Sequence, residues 1–148
     1  MDFFLDNMSP SDWDQVCRVY GEGIATGHAT FEAGAPAWEE WDARHLPRPR
    51  LVARAGDSVL GWGALSPVSD RCVYAGVAEV SLYVGATYRG EGVGSSLLAA
   101  LIKASEEAGI WTLQGGIFPE NAASLALVKK HGFREVGNRE HLGRMTLR

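Results

Sequence analysis

The stretch from Val77 to Gly94 constrains the fold of this chain most strongly, because an apolar run leads there into a glycine-rich loop. The run ends at Val84, glycines follow at positions 90, 92 and 94, and a helix is predicted over 95–108. Glycines leave backbone N–H groups uncovered, and the helix dipole favours an anion at a helix start. The loop therefore predicts a phosphate site. The lone carboxylate of Glu79 among aliphatic neighbours indicates chemistry, because burying an unpaired charge is costly.

Two helices are predicted before this stretch. Ser11, with Asp14 three residues later, is predicted to cap the first helix. The second is predicted to start near Pro36, where proline suits the first helical position. Its Trp38 and Trp41 share a face, which suits either the hydrophobic core or the lining of a substrate cleft.

Strands are predicted between these helices and the glycine loop. Apolar runs at 50–55 and 59–65 flank Gly56-Asp57-Ser58, a turn sequence that predicts an antiparallel hairpin. The next strand is predicted over Val73–Val84 and is nearly all apolar. This composition predicts a central strand that is covered on both faces.

The alternation continues after the loop. The predicted helix ends near Gly109 and carries one apolar face, made by Val93, Leu97, Leu98, Leu101 and Ile102. A strand is predicted over 110–118, and Asn121 is predicted to cap a helix over 122–131 that ends at Gly132. A further strand starts at Phe133. The order of elements predicts an α/β fold, α+β in some schemes, with helices on both faces of a mixed, mostly antiparallel sheet.

Composition limits the class of protein. With 148 residues, 46% of them hydrophobic, the chain suits one domain over 1–148. A net charge of -4 and dispersed basic residues argue against a nucleic-acid partner. Cys17 and Cys72 form neither a disulfide framework nor a metal-binding spacing. The sequence shows no signal peptide and no apolar span of membrane length, so we expect a soluble cytoplasmic protein without a membrane partner.

The glycine loop is not a known nucleotide motif. No Gly-Lys-Ser/Thr occurs, and Ser95 stands where the dinucleotide fingerprint needs a third glycine. The loop does match Arg-x-x-Gly-x-Gly, as Arg89, Gly92 and Gly94. By itself this pattern is weakly specific, because glycine at a strand-to-helix turn often serves geometry alone.

In its context this motif resembles that of the GNAT superfamily of acetyl-CoA-dependent N-acetyltransferases, over nearly the whole chain. Four further motifs resemble the phosphinothricin acetyltransferase branch: Ala29-Thr-Phe31-Glu32, Arg71-Cys-Val-Tyr74 with Glu79, Ile117-Phe-Pro119-Glu-Asn121 and His131-Gly132-Phe133. That branch acetylates the amino group of phosphinothricin, methionine sulfoximine, methionine sulfone or arsinothricin. The resemblance implies an enzyme with a small-molecule amine substrate, acetyl-CoA as co-substrate and no metal.

The resemblance also implies which residues hold coenzyme A. The backbone from 89 to 95 would bind the pyrophosphate, through Arg89, Gly90, Glu91, Gly92, Val93, Gly94 and Ser95. Leu82, Tyr83 and Val84 would line the pantetheine arm. The main chain of Leu82 and Val84 would pair with this arm as though it were an added strand. An N–H near Val84 would polarise the thioester carbonyl. Asn121 and Ser124 match positions that contact the pantetheine arm, and Lys130 matches a position near the adenosine phosphate. Two alternatives stay open: Asn121 could be only a helix cap, and Lys130 only a solvated lysine.

Glu79 matches the proposed general base of the family, which accepts the proton that the substrate ammonium must lose. The alternative is a structural carboxylate paired with Arg71. Arg71 and Tyr74 match a clamp for the substrate's carboxylate or phosphinate, since a guanidinium fits both oxyanions. Phe31 and Glu32 are expected to bound the same pocket. The alternative for this set is surface decoration.

Two departures from the branch bear on activity. Val128 stands where relatives carry a catalytic His or Tyr. The leaving thiolate would therefore take its proton from water or from another group such as Tyr83, or would need no acid, given a thiol pKa of roughly 8.5. The final strand of the family is expected to be missing, which would leave the strands at Phe118 and Phe133 without a ladder partner. A homodimer is expected. These departures keep open a coenzyme-binding module without catalysis, and a GNAT enzyme for protein N-termini or polyamines is a further alternative.

Overall fold

A computed structural model describes residues 2–25, 37–67, 76–88, 91–117, 122–139 and 142–147. The strands are β1 Phe4–Asn7, β2 Arg50–Ala55, β3 Ser58–Pro67, β4 Val77–Val84, β5 Thr112–Ile117, β6 Arg134–Arg139 and β7 Leu142–Leu147. The helices are α1 Trp13–Ala25, α2 Trp38–Arg44, α3 Val93–Glu107 and α4 Ala122–Lys130, with 3₁₀ turns at Pro10–Asp12 and Ala86–Tyr88. Within the described ranges, no helix is both long and apolar enough to cross a membrane.

The strands form one mixed sheet in the order β1-β2-β3-β4-β5-β7-β6. Strands β4 and β5 are parallel, and the other neighbouring pairs in this part of the chain are antiparallel. The predicted hairpin is confirmed as β2 and β3, which turn at Gly56-Asp57. The predicted central strand is also confirmed, because β4 lies in the middle of the sheet.

Helices cover both faces of the sheet, as predicted. On one face, Trp62 and Ala64 of β3 pack with residues of α1 and α2, among them the fully buried Trp41. On the other face, Leu65 of β3 packs with Leu98 of α3 and with α4. Side chains of a strand alternate between faces, so a single strand supplies both cores. The burial of Trp41 confirms the core interpretation for this residue.

Strand β3, not β4, is the most buried strand. Its residues Val59–Leu65 are all buried, whereas β4 is largely half-buried. Strand β4 is nevertheless covered on both faces, as predicted, since its Tyr83 packs with the core under α1 and its Leu82 with the core under α3. Two glycines of β3 allow α3 and β4 to pack close to its backbone. A Cβ at Gly63 would lie 2.6 Å from Leu101 of α3, and one at Gly61 would lie 2.8 Å from the Tyr83 carbonyl oxygen.

The start of the first helix also differs from the prediction. Ser9 and Asp12, not Ser11 and Asp14, make the capping contacts, since the Ser9 N–H donates to the Asp12 carboxylate at 2.8 Å. Helix α1 then begins at Trp13. The Asp12 side chain is held from the opposite side by Arg54 of β2, which explains why Asp12 is the residue used.

Two strand predictions need correction. Strand β4 begins at Val77, after a turn at Gly76, and not at Val73. The final strand is not missing, because β7 lies between β5 and β6 and is antiparallel to both. It gives both strands the ladder partner they were expected to lack. Strands β5, β6 and β7, all from residue 112 onward, thus form one side of the sheet.

Candidate active site

Strands β4 and β5 lie side by side at one end and separate at the other. Their parallel register covers Val77–Glu79 and Thr112–Gln114, whereas β4 stays paired with β3 as far as Val84. Beyond Glu79, the side of β4 that faces β5 has no strand partner among the residues that the structure describes. We call this opening the wedge, and its vertex is the pair Glu79 and Gln114.

Gly76 fixes the closed end of the wedge. Its carbonyl accepts hydrogen bonds from the N–H groups of Trp111 and Thr112, at 2.9 and 3.1 Å. The Trp111 ring covers it so closely that a Cβ at Gly76 would lie 1.9 Å from ring atoms. Only glycine fits here without displacing that ring. Because the Gly76 carbonyl faces β5, it also shows which backbone groups of β4 face that strand.

The backbone of Leu82 and Val84 faces the wedge. At the far end of β4, the Gly85 N–H donates to the Leu60 carbonyl of β3 at 2.7 Å, away from β5. Successive residues of a strand direct their N–H and C=O groups to opposite neighbours, so the even-numbered positions from Gly76 onward face β5. Leu82 and Val84 therefore present donors and acceptors to the wedge, where no acceptor or donor is recorded among the described residues.

Helix α3 begins beside the open end of the wedge. Gly92 precedes it with φ 85°, a left-handed conformation that favours glycine. The Ser96 N–H donates to the Gly92 carbonyl at 3.1 Å, so the N–H groups of Val93, Gly94 and Ser95 precede the first intrahelical bond. No side chain caps them within the described residues, and the first turn carries no acidic residue. This arrangement suits an anion.

The start of α3 is packed against both β4 and α4. A Cβ at Gly94 would come within 3.4 Å of Val84 and 3.3 Å of Leu127. The Ser95 hydroxyl lies 2.9 Å from His131 Nε2, which joins the start of α3 to the turn after α4. The sequence placed His131 in a family motif and predicted no contact for its side chain. Its contact with Ser95 joins residues far apart in the chain and carries no local signal.

The vertex of the wedge brings together Glu79 and Gln114. They are register partners on the parallel pair, and Ser66 of β3 is the register partner of Glu79 on its other side. Glu79 and Gln114 are half-buried. Partners in register point to the same face of a sheet, so the two side chains lie side by side. Sequence reasoning identified Glu79 and missed Gln114, because the register of strands 35 residues apart has no local signature.

Other predicted residues lie farther from the vertex. The Tyr83 ring packs against Trp62 and Tyr20, with ring centroids 5.0 and 4.8 Å apart, so it belongs to the aromatic core under α1. Val128 is buried in the core between α3 and α4. Lys130 and Glu91 are exposed. The backbone of Ser124 lies within α4, but its side chain lies outside the described part of the structure.

Seven predicted site residues lie outside the described residues: Phe31, Glu32, Arg71, Tyr74, Arg89, Gly90 and Asn121. The predicted clamp and most of the predicted amine pocket belong to this set. Across the described ranges, no group of three or more His, Cys, Asp or Glu residues could hold a metal ion.

Comparison with known proteins identifies the family. The chain matches the family model described as "Acetyltransferase (GNAT) family" over residues 13–133. It is 35% identical over 131 residues to the "Putative phosphinothricin acetyltransferase YwnH" of Bacillus subtilis, which covers 85% of this chain and 80% of that protein. It is 29% identical over 140 residues to an L-methionine sulfoximine/L-methionine sulfone acetyltransferase of Pseudomonas aeruginosa, covering 90% of this chain and 81% of that protein.

A solved structure agrees with these sequence relationships. The crystal structure of a "putative phosphinothricin N-acetyltransferase" superposes with a TM-score of 0.88 at 30% identity, and the match covers 99% of this chain and 98% of that one. The resemblance inferred from the motifs is thereby confirmed. The protein belongs to the GNAT family of acetyltransferases, and its relatives include phosphinothricin and methionine sulfoximine acetyltransferases.

Proposed function

We propose that this protein transfers an acetyl group from acetyl-CoA to the α-amino group of a small amino-acid-like compound. The compound is of the phosphinothricin, methionine sulfoximine, methionine sulfone or arsinothricin type. The observation that carries the proposal is the wedge, which opens directly beyond Glu79 and ends beside the start of α3. An extended acetyl-CoA that lies along the wedge would thus bring its acetyl group toward Glu79, the proton acceptor at the vertex.

The residues of the wedge fit coenzyme A. Acetyltransferases of this family use acetyl-CoA, which supplies the acetyl group as a thioester. The N–H groups of Val93, Gly94 and Ser95 suit its pyrophosphate, together with Arg89 and Gly90. The backbone of Leu82 and Val84 suits the pantetheine amides, in the way that a sheet edge receives an added strand. The thioester would lie toward the vertex, so the N–H of Leu82, the wedge-facing residue of this pair nearer to Glu79, would donate to the thioester carbonyl oxygen, where negative charge develops.

Glu79 is suited to accept the proton of the amine. An ammonium group has no lone pair, so it must lose a proton before its nitrogen can bond to the acetyl carbon. Glu79 stands on the central strand at the vertex, half-buried, with no ion-pair partner recorded among the described residues. The proton passes to its carboxylate, directly or through water. Val128 cannot donate a proton, so water would protonate the leaving thiolate.

The substrate class rests on the motifs and on the relatives. Phosphinothricin and methionine sulfone each combine an α-amino group with anionic or strongly polar oxygens. Arg71 and Tyr74 would bind those oxygens, and Phe31 and Glu32 would bound the same pocket. Two of the relatives named for these substrates, from Bacillus subtilis and Pseudomonas aeruginosa, match this chain over 80% and 81% of their own lengths.

A second candidate function is coenzyme binding without catalysis. It is favoured by Val128, which is buried between α3 and α4 and offers no general acid at that position. The same wedge would then hold coenzyme A, and no amine would be acetylated. Turnover of any amine separates the two candidates.

The proposal is tested with acetyl-CoA and a panel of amines, by mass spectrometry of the products. Methionine sulfone or phosphinothricin should gain one acetyl group, and Glu79→Gln should lower kcat by roughly 10²- to 10⁴-fold because the proton acceptor is lost. Glu106→Gln, the same change at an exposed position of α3, is the matched control and should leave the rate unchanged. Binding of acetyl-CoA without acetylation of any amine would favour the second candidate.

A further inference from the structure

Gln114 shares the vertex of the wedge with Glu79. The two residues form the last register pair before β4 and β5 separate. Their neighbours Ala78 and Leu113 are both buried in the core on the α3 side. Because side chains alternate along a strand, Glu79 and Gln114 both point to the opposite face. They are half-buried and adjacent, where the wedge begins.

Neither side chain uses its hydrogen-bonding capacity within the described residues. No hydrogen bond to the carboxylate of Glu79 or to the carboxamide of Gln114 is recorded among them. A carboxamide offers one acceptor oxygen and two N–H donors, and a half-buried site removes part of the water that would satisfy them. Both side chains therefore have hydrogen-bonding capacity available for a substrate that enters the wedge.

The amine itself has the matching requirement. While its nitrogen bonds to the acetyl carbon, a primary amine carries two N–H groups. Glu79, after releasing the ammonium proton to water, takes one of these two protons as the C–N bond forms, and the other hydrogen stays on the nitrogen of the product amide. The second N–H loses its water on entering the site and needs an acceptor, because an unsatisfied buried donor is costly.

We infer that the Gln114 carboxamide oxygen accepts this second N–H and so orients the attacking nitrogen toward the wedge. This inference rests on the proposed acetyltransferase function and adds Gln114 to the groups that contact the substrate. It predicts a preference for primary over N-methylated amines, because an N-methyl amine lacks the second hydrogen during attack.

The test uses methionine sulfone and its N-methyl derivative as substrates for Gln114→Met. Methionine is close to glutamine in length and lacks a strong acceptor. The variant should lose about 10- to 100-fold in kcat/KM for methionine sulfone, as expected for a hydrogen bond to a charged group. The KM for acetyl-CoA and the melting temperature should not change. The already low kcat/KM for the N-methyl derivative should fall much less.

Thr112→Val is the matched control. Thr112 is half-buried and lies two residues earlier on the same face of β5, at the closed end of the wedge. It should retain wild-type kinetics. Gln114→Asn, which keeps the amide but shortens its reach, serves if Gln114→Met does not fold, and it should also lose at least fivefold in kcat/KM.

Three outcomes are distinct. Equal kinetics for Gln114→Met and Thr112→Val would overturn the role of Gln114 while leaving the acetyltransferase function intact. Equal losses for both substrates, or a raised KM for acetyl-CoA, would make Gln114 a structural residue and overturn the inference in the same way. Absence of turnover by the unaltered protein would contradict the proposed function itself.

Discussion

At the scale of single residues, Arg54 holds the first turn of the chain to the sheet. Its guanidinium donates to both oxygens of Asp12 at 2.7 Å and to Asp6 of β1 at 2.9 Å. The hydrogen bonds from Arg54 are the main reason that the pKa of Asp12 lies below its usual value, and burial opposes the shift. Asp12 is nearly inaccessible to solvent, with 5% of its surface exposed. The pair therefore links stability to pH.

Asp12→Asn should destabilise the fold by about 1–3 kcal/mol at pH 7, because the half-buried guanidinium of Arg54 loses a charged acceptor. The pKa of Asp12 is lower in the folded than in the unfolded chain, so its contribution is complete above the unfolded value of about 4 and disappears as the pH falls through the folded value. The free energy of unfolding of the wild type, measured in urea, should therefore fall as the pH drops below about 4. It should fall more steeply than that of the variant.

Asp57→Asn is the control for this measurement. Asp57 is an exposed carboxylate in the β2–β3 turn, where asparagine suits the turn equally well. The control should keep both the wild-type stability and its acid dependence. Equal acid dependence in wild type and Asp12→Asn would contradict the role of the Arg54 pair.

The same pair shows what local sequence can predict at this scale. Ser9-Pro-Ser-Asp12 and Ser11-Asp-Trp-Asp14 both have the spacing of a capping box, and they lie two residues apart. Local propensity does not choose between them. Arg54, on a strand 42 residues further along than Asp12, makes the choice by bonding Asp12. The existence of the helix was thus predictable, and its first residue was not.

At the scale of elements, the site is a property of how two strands separate. Apolar patterns correctly predicted a central strand, a glycine loop and a helix after it. They did not reveal that the parallel pairing ends after Glu79, since register depends on contacts between distant segments. The opening leaves backbone groups, rather than particular side chains, as the surface offered to the donor. A test of this surface must therefore remove an N–H and keep the strand.

Val84→Pro makes that change. Proline lacks an N–H, and at Val84 the lost N–H faces the wedge, so the ladder between β3 and β4 should survive. If this N–H pairs with the pantetheine arm, the KM for acetyl-CoA should rise by about 5- to 10-fold, the effect of one lost hydrogen bond. Val84→Ala is the matched control, because it removes the side chain but keeps the N–H. Its KM for acetyl-CoA, measured by thiol release, should rise less than threefold.

The fold of the proline variant is checked by circular dichroism and thermal unfolding. A folded Val84→Pro variant with the acetyl-CoA KM of Val84→Ala would show that the Val84 N–H takes no part in holding acetyl-CoA. A shared rise of this KM in both variants would assign the effect to the side chain.

At the scale of the whole molecule, the last strand joins two parts of the sheet. Strand β7 pairs with β5 over Leu113–Ile117 and with β6 over Arg134–Arg139. The sequence did not predict it, because Leu142-Gly-Arg-Met-Thr-Leu147 has only a short alternation of apolar and polar residues. Its place depends on long-range pairing to strands on both sides. Strand β5, which carries Gln114, is therefore paired with β4 on one side, at the closed end of the wedge, and with β7 on the other.

Ending the chain after Arg139 should remove this support. Strand β5 would then have an unpaired edge and β6 would lose its partner strand, and exposed edges of this kind pair readily with other chains. We expect the shortened protein to lose its cooperative thermal transition and to elute from size-exclusion chromatography as aggregates. A chain that ends after Leu147 keeps β7 whole and should behave as the wild type. A shortened protein that unfolds cooperatively at the wild-type temperature would show that β7 adds little to the sheet, and that β5 holds its register through β4 alone.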